Sequence, residues 1–182
     1  NTCSNRYEWT SKQLGGDLPD GYDHKYIYSH AGYNLKITDM QAACGLGQLG
    51  RLESFINLRR QNFSYLKKGL ESLSEHVFLP TATPNSNPAW FGFAVTMTSS
   101  KPDARRRFIS YLDHHKIDTR LLFGGNLIHQ PYLAGRHYRI HKQLSATDQV
   151  LKNTFWVGLY PGLGNAQLDY VINCFYDYFS AL

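Results

Sequence analysis

Cysteine is scarce in this sequence, and its three copies, Cys3, Cys44 and Cys174, lie far apart. An odd, scattered set does not make the disulfide framework of a small secreted protein, and a reducing compartment suits it better. No apolar run reaches the ~18 to 20 residues that a bilayer requires, so a soluble, cytoplasmic protein with no membrane partner is the expectation. CxxC and HExxH spacings are missing, as are a Gly-rich phosphate loop behind a strand, a GxSxG elbow and any internal repeat. A metal, P-loop or serine-hydrolase site complete within this sequence is thereby excluded. Methionine does not open the chain, and no charged-then-apolar leader precedes Asn1, which predicts a piece of a longer protein. Negative charge is the minority, with 14 acidic against 19 basic residues and a net charge of +5. The cations are spread out without an aromatic–glycine signature, so no nucleic-acid partner is expected. Their densest run, Arg105 to Arg107, falls on a predicted helix surface and reads as a solvated face, with a phosphate contact as the alternative.

What is present is organised around His30 to Phe63. Thr38 precedes Gln41 by three residues, the spacing of a capping box, which predicts a helix start at Asp39. From Ala42 through Leu46, Leu49, Leu52, Ile56, Phe63, Leu66 and Leu70 to Leu73, apolar residues recur every three or four positions. One helix of roughly thirty residues is predicted, well beyond the average of about 11 to 12. Gly45, Gly47 and Gly50 weaken its first turns, and the expected return is close approach of another backbone, as at a subunit contact. The lead-in before residue 30 is irregular but rich in aromatics. It is expected to pack against something, and if that partner is outside this sequence, Leu46, Leu49 and several lead-in tyrosines should be exposed. Prolines 80, 84 and 88 mark a connection into a second unit. There, strands are predicted near Trp90–Thr98, Ile117–Phe123 and Phe155–Tyr160, and helices over Pro102–His115, from Ser145, and after a cap at Asn165.

Chemistry is sparse on spacing alone. Asn34, beside a capped helix start, suits either a phosphate contact or a structural turn. Arg120 at a strand end, with Asn126, His129, Gln130 and Tyr132 beyond it, suits either a polar pocket or ordinary structural bonding.

GYNLKITDMQAACGLGQLGRLE resembles the G-x-N-x-(R/K)-x-(S/T)-(E/D)-x-Q-A-A-x-G stretch of DegT/DnrJ/EryC1/StrS sugar aminotransferases and dehydrases. NTC at the start, YDHKYIYSHAGYN, WFGF, TRLLFGGNLIHQPYL and FWVGLYPGL are similar to the iron-sulfur 3-dehydrase branch of that family. The resemblance implies an α/β chain that is the C-terminal part of a type I, aspartate aminotransferase-like PLP fold. Residues 1–37 would end the large cofactor domain, 38–75 form a long connecting helix, and 76–182 the small domain. It further implies dehydration at C-3 of a CDP-4-keto-6-deoxyhexose in lipopolysaccharide O-antigen synthesis. Pyridoxamine 5'-phosphate and a 2Fe-2S cluster are the implied cofactors, with an NADH-dependent iron-sulfur flavoprotein as reductase and a homodimer as assembly.

Residue by residue, Cys3 matches one cluster ligand, and Asn34 matches an asparagine that reaches the cofactor phosphate across the dimer. Phe91 stands at the cofactor border, where aminotransferases commonly show histidine, and Arg120, His129 and Tyr132 are the substrate-binding candidates. The catalytic histidine is expected upstream, leaving no catalytic residue in this sequence. Competing readings are a PLP aminotransferase or cluster-free deoxygenase of the same family, and a non-catalytic binding or assembly module.

Overall fold

The capping box forms as its spacing predicts. Thr38 accepts at its hydroxyl from the Gln41 N–H, and the Gln41 side chain accepts from the Thr38 N–H at 2.8 Å. This opens α1, Asp39–Leu49. The computed structural model describes residues 16–32, 37–99 and 101–182, and it departs from the single long helix. The helix breaks at Gly50 and Arg51 and resumes as α2, Leu52–Leu70, followed by a 3-10 turn to Leu73. At the break the Arg51 N–H turns back to the Gln48 carbonyl at 2.9 Å, a tightened turn beside the residue with the least intrinsic hold on a helix other than proline.

The buried apolar residues of α2, Phe63, Leu66 and Leu70, all lie in its far half. These pack with α3 (Ala104–His114) and α5 (Asn165–Ser180) into a core over a four-stranded antiparallel sheet. The strands are β1 (Val77–Phe78), β2 (Gly92–Met97), β3 (Thr119–Leu121) and β4 (Thr154–Gly158), in the order β1-β2-β4-β3. Three of them, and α3, follow the predicted pattern. β1 is additional, because two residues carry no periodic signal and become strand only by pairing with Thr96 and Met97. Phe93 pairs with Val157 and Val95 with Phe155, so alternation turns these side chains to the core and Gly92, Ala94 and Trp156 to the other face. Phe108 is fully buried among the rings of Phe155, Phe175, Tyr178 and Phe179. α4 (Ser145–Asn153) starts where predicted, whereas Asn165 is the first helical residue of α5 and the cap lies at Gly164, whose N–H donates to Gln167 Oε1 at 3.1 Å.

Three expectations change. Around Gly45, Gly47 and Gly50 an added Cβ would meet nothing within 4 Å among the described residues, so the close contact is not made by them. The crowded glycine is Gly69, where a Cβ would lie 2.3 Å from Ile172 Cδ1 of α5. Arg105 is not on a solvated face: it is buried and donates to the Leu151 and Thr154 carbonyls, while Arg106 and Arg107 stay outside. Leu46 and Leu49 are exposed as expected, at 71% and 59%, but Tyr22 of the lead-in is buried and Tyr26 and Tyr28 are half-buried. The described part of the lead-in, from residue 16 on, finds a partner within this chain. Gln130 donates to the Tyr26 and Gly124 carbonyls at 2.7 and 2.9 Å and accepts from the Tyr28 N–H at 2.8 Å. No described helix is long and apolar enough to cross a membrane.

Candidate active-site face

The sheet face turned away from the core carries aromatic side chains that the sequence alternation places there. Trp156 lies across Gly92, where a Cβ would approach its ring at 2.4 Å, and its Nε1–H donates to the Leu121 carbonyl at 3.2 Å. Phe91, one residue ahead of β2, is 68% exposed, its ring 5.2 Å from that of Trp156 and tilted by 59°. Phe123 follows β3. Together with Gly92, Ala94 and Leu122 these rings line an apolar cavity of about 300 Å³. Arg120 pairs with Trp156 in the β3–β4 register and so stands on the same face, bonded to Asp118 at 3.2 Å.

This end of the sheet is held by α2. Arg59 Nη1 donates to the carbonyls of Trp90, Phe91 and Leu159 at 3.1, 3.3 and 2.7 Å, and its guanidinium carbon lies 5.9 Å from the centre of the Phe91 ring. Two chain segments, the one entering β2 and the one leaving β4, are thereby tied to one helix. Asn62 adds donations to the Tyr160 and Leu163 carbonyls, and Trp90 stacks on Phe63 at 3.8 Å. Sequence reasoning did not single out Arg59, Phe123 or Trp156. Trp156 was within reach of it, since Phe155 and Val157 read as core and the residue between them must face the other way.

His129 lies elsewhere, lining a more polar cavity of about 660 Å³ with Lys101 and Lys152. Its Nε2 is 3.0 Å from Asp148 Oδ1 and its Nδ1 3.7 Å from Asp17 Oδ2. Asn126 donates to the same Asp148 oxygen at 2.7 Å. That bond above all, and then His129, holds the Asp148 carboxyl below its ordinary range despite partial desolvation. Tyr132 sits by the lead-in, its N–H donating to the Tyr28 carbonyl at 3.1 Å. The structure thus brings Phe91 and Arg120 to one face and leaves His129 and Tyr132 off it. Cys3 and Asn34 lie outside the described residues, and among those described no group of three His, Cys, Asp or Glu could hold a metal ion. For a pyridoxal-type cofactor the exposed Phe91 ring and the half-buried Trp156 ring, tilted against each other, offer an apolar border; the phosphate contact assigned to Asn34 is not among the described groups.

An α/β layer of this kind, fed by a broken helix and presenting an aromatic outer face, is part of the PLP-dependent aminotransferase fold. DesV of S. venezuelae, solved in complex with a ketimine intermediate, matches with a TM-score of 0.68 at 25% identity over 87% of this chain and 41% of that one. An E. coli GDP-4-keto-6-deoxy-D-mannose-3-dehydratase with bound hydrated PLP matches in fold, with a TM-score of 0.64 at 22% identity over 94% of this chain and 45% of that one. The profile of the DegT/DnrJ/EryC1/StrS aminotransferase family matches residues 14–176, and the chain belongs to that family. It is 54% identical over 179 residues to the lipopolysaccharide biosynthesis protein RfbH of Salmonella typhimurium, covering 98% of this chain and 40% of that protein. It is 45% identical over 172 residues to the dTDP-4-dehydro-2,6-dideoxy-D-glucose 3-dehydratase of Saccharopolyspora spinosa, covering 94% of this chain and 36% of that enzyme. The chain thus spans well under half the length of these relatives.

Proposed function

We propose that this chain is part of a nucleotide-sugar 3-dehydratase that removes the C-3 hydroxyl of a CDP-4-keto-6-deoxyhexose in O-antigen synthesis. The observation that carries this is the gradient of similarity. Identity is 54% and 45% to the lipopolysaccharide protein and the dTDP-sugar 3-dehydratase, and drops to between 25% and 28% for GDP-4-keto-6-deoxy-D-mannose 3-dehydratases and GDP-perosamine synthases alike, which groups this chain with the first two. Bound pyridoxamine phosphate supplies an electron sink for loss of the hydroxyl. Within this chain, Arg59 fixes the backbone of Phe91, and Phe91 and Trp156 exclude water from the bordering space. Arg120 adds positive charge on the same face, suited to a diphosphate. His129, whose nitrogens already face two carboxylates, acts by setting the loop around Asn126. Tyr132 contributes from the lead-in side.

The full protein is expected to be a cytoplasmic homodimer in which Asn34 reaches the partner's cofactor phosphate. Cys3 is expected to be one thiolate of a 2Fe-2S cluster that passes electrons from an NADH-dependent iron-sulfur flavoprotein. The decisive assay gives full-length protein, with pyridoxamine phosphate, reductase and NADH, CDP-4-keto-6-deoxyglucose as substrate. A 3-deoxy product supports the reading; a glutamate-dependent amino sugar in its place would make the protein an aminotransferase. Cluster loading is read separately by electron paramagnetic resonance of the reduced protein. Cys3→Ser should abolish the 2Fe-2S signal, and an unchanged signal removes Cys3 from the ligand set.

A further inference from the structure

Phe123 is held in a backbone conformation that its residue type disfavours. Its φ is +51°, in the left-handed region that a bulky side chain seldom enters. Its N–H closes a tight turn onto the Leu121 carbonyl at 2.7 Å, and its own carbonyl accepts from the Tyr22 hydroxyl at 3.2 Å. Tyr22 is buried, and that burial pushes its phenol up to about 12, so it remains a donor throughout the neutral range. Space for the hydroxyl comes from Gly125, itself at φ +62°, where a Cβ would lie 2.7 Å from it. The strain does not serve the core: the Phe123 side chain is 58% exposed and forms a wall of the apolar cavity opposite Phe91 and Trp156. Backbone strain that a surrounding structure over-determines, ending in an exposed aromatic at a cavity, is the pattern of a ligand-contacting residue.

We infer that Phe123 is a specificity-determining residue whose ring, aimed by Tyr22, closes the cavity on the least polar edge of the sugar, the C-6 methyl group. The inference rests on the nucleotide-sugar reading above. Among the described residues the lining supplies ring faces and aliphatic carbon, with no side-chain hydrogen-bond partner for a 6-hydroxyl other than the Trp156 N–H, which is already bonded to Leu121. A methyl group is therefore accepted and a hydroxymethyl group rejected, by the modest factor that an apolar pocket can achieve against an added hydroxyl, at most about 100-fold.

The test uses full-length protein and two unreactive ligands that differ in one oxygen, CDP-6-deoxyglucose and CDP-glucose, with Kd read by calorimetry and by tryptophan fluorescence. The wild type is expected to prefer the 6-deoxy ligand by about tenfold or more. Phe123→Gly keeps the backbone conformation without strain, so it should fold normally and bring the preference close to one. Tyr22→Phe, which removes only the hydroxyl, should fall between. An undiminished preference in Phe123→Gly overturns the inference while leaving the nucleotide-sugar reading intact. Failure of the wild type to bind either ligand overturns both, and equal binding of the two by the wild type overturns the inference alone.

Discussion

Gln130 leaves no polar atom of its buried amide idle, since two N–H groups go to carbonyls and the oxygen receives the Tyr28 N–H. Gln130→Leu keeps the bulk and strands those groups, and is expected to destabilise by about 2 to 3 kcal/mol in urea unfolding. The same reasoning gives Tyr22 a pH signature. Its folded value of about 12 lies above the ordinary 10, so its contribution to stability is complete below pH 10 and is lost as pH rises through 12. The stability gap between wild type and Tyr22→Phe should therefore narrow above pH 10. Asp148 has the opposite sign. Its folded carboxyl is depressed, so stability is present above the ordinary carboxylate range near 4 and falls as acid titrates the folded group; Asn126→Ala should weaken that acid dependence. Neither shift was legible from spacing, because the first follows from burial of Tyr22 in the folded chain and the second chiefly from Asn126, 22 residues away.

At the scale of elements, the broken helix carries the sharpest contrast between its two halves. Gly69 sits where α2 and α5 touch, its carbonyl also accepting from the Tyr176 hydroxyl at 3.0 Å. Gly69→Ala is expected to lower stability by about 1 to 3 kcal/mol despite its better helix propensity, because Ile172 must move. Gly47→Ala in α1 meets open space among the described residues and should raise helicity of this chain, by about 1 kcal/mol per substitution. If full-length protein carrying Gly47→Ala instead loses dimer on size-exclusion chromatography, the glycine is kept for a contact made outside the described residues. The α1–α2 pattern was read correctly as apolar period and capping box, and wrongly as one rod: the break depends on one tightened turn, and periodicity runs through it unchanged.

For the whole molecule, the exposed run of Ile37, Met40, Leu46, Leu49 and Leu52 lies on a segment with no buried residue between 37 and 54. An apolar face of this kind on a chain that spans about 40% of its relatives is the expected place for the rest of the protein or a second subunit. The purified 182-residue chain by itself is predicted to show neither pyridoxamine absorbance nor turnover of CDP-4-keto-6-deoxyglucose. Measurable dehydration by this chain alone would show that the catalytic groups are within it.

Sequence alone determined where most elements begin and end. Capping residues, prolines and the alternation in β2 and β4 act over a few neighbours, and the family resemblance rests on contiguous motifs. Tertiary structure decided which residues meet. It buried Arg105 beneath α4, gave the lead-in a partner in Gln130, separated His129 from Phe91 and Arg120, and strained Phe123 against Tyr22, 101 residues away. Each of those outcomes depends on a long-range hydrogen bond or on a face shared by strands distant in sequence, and no local period encodes such a meeting.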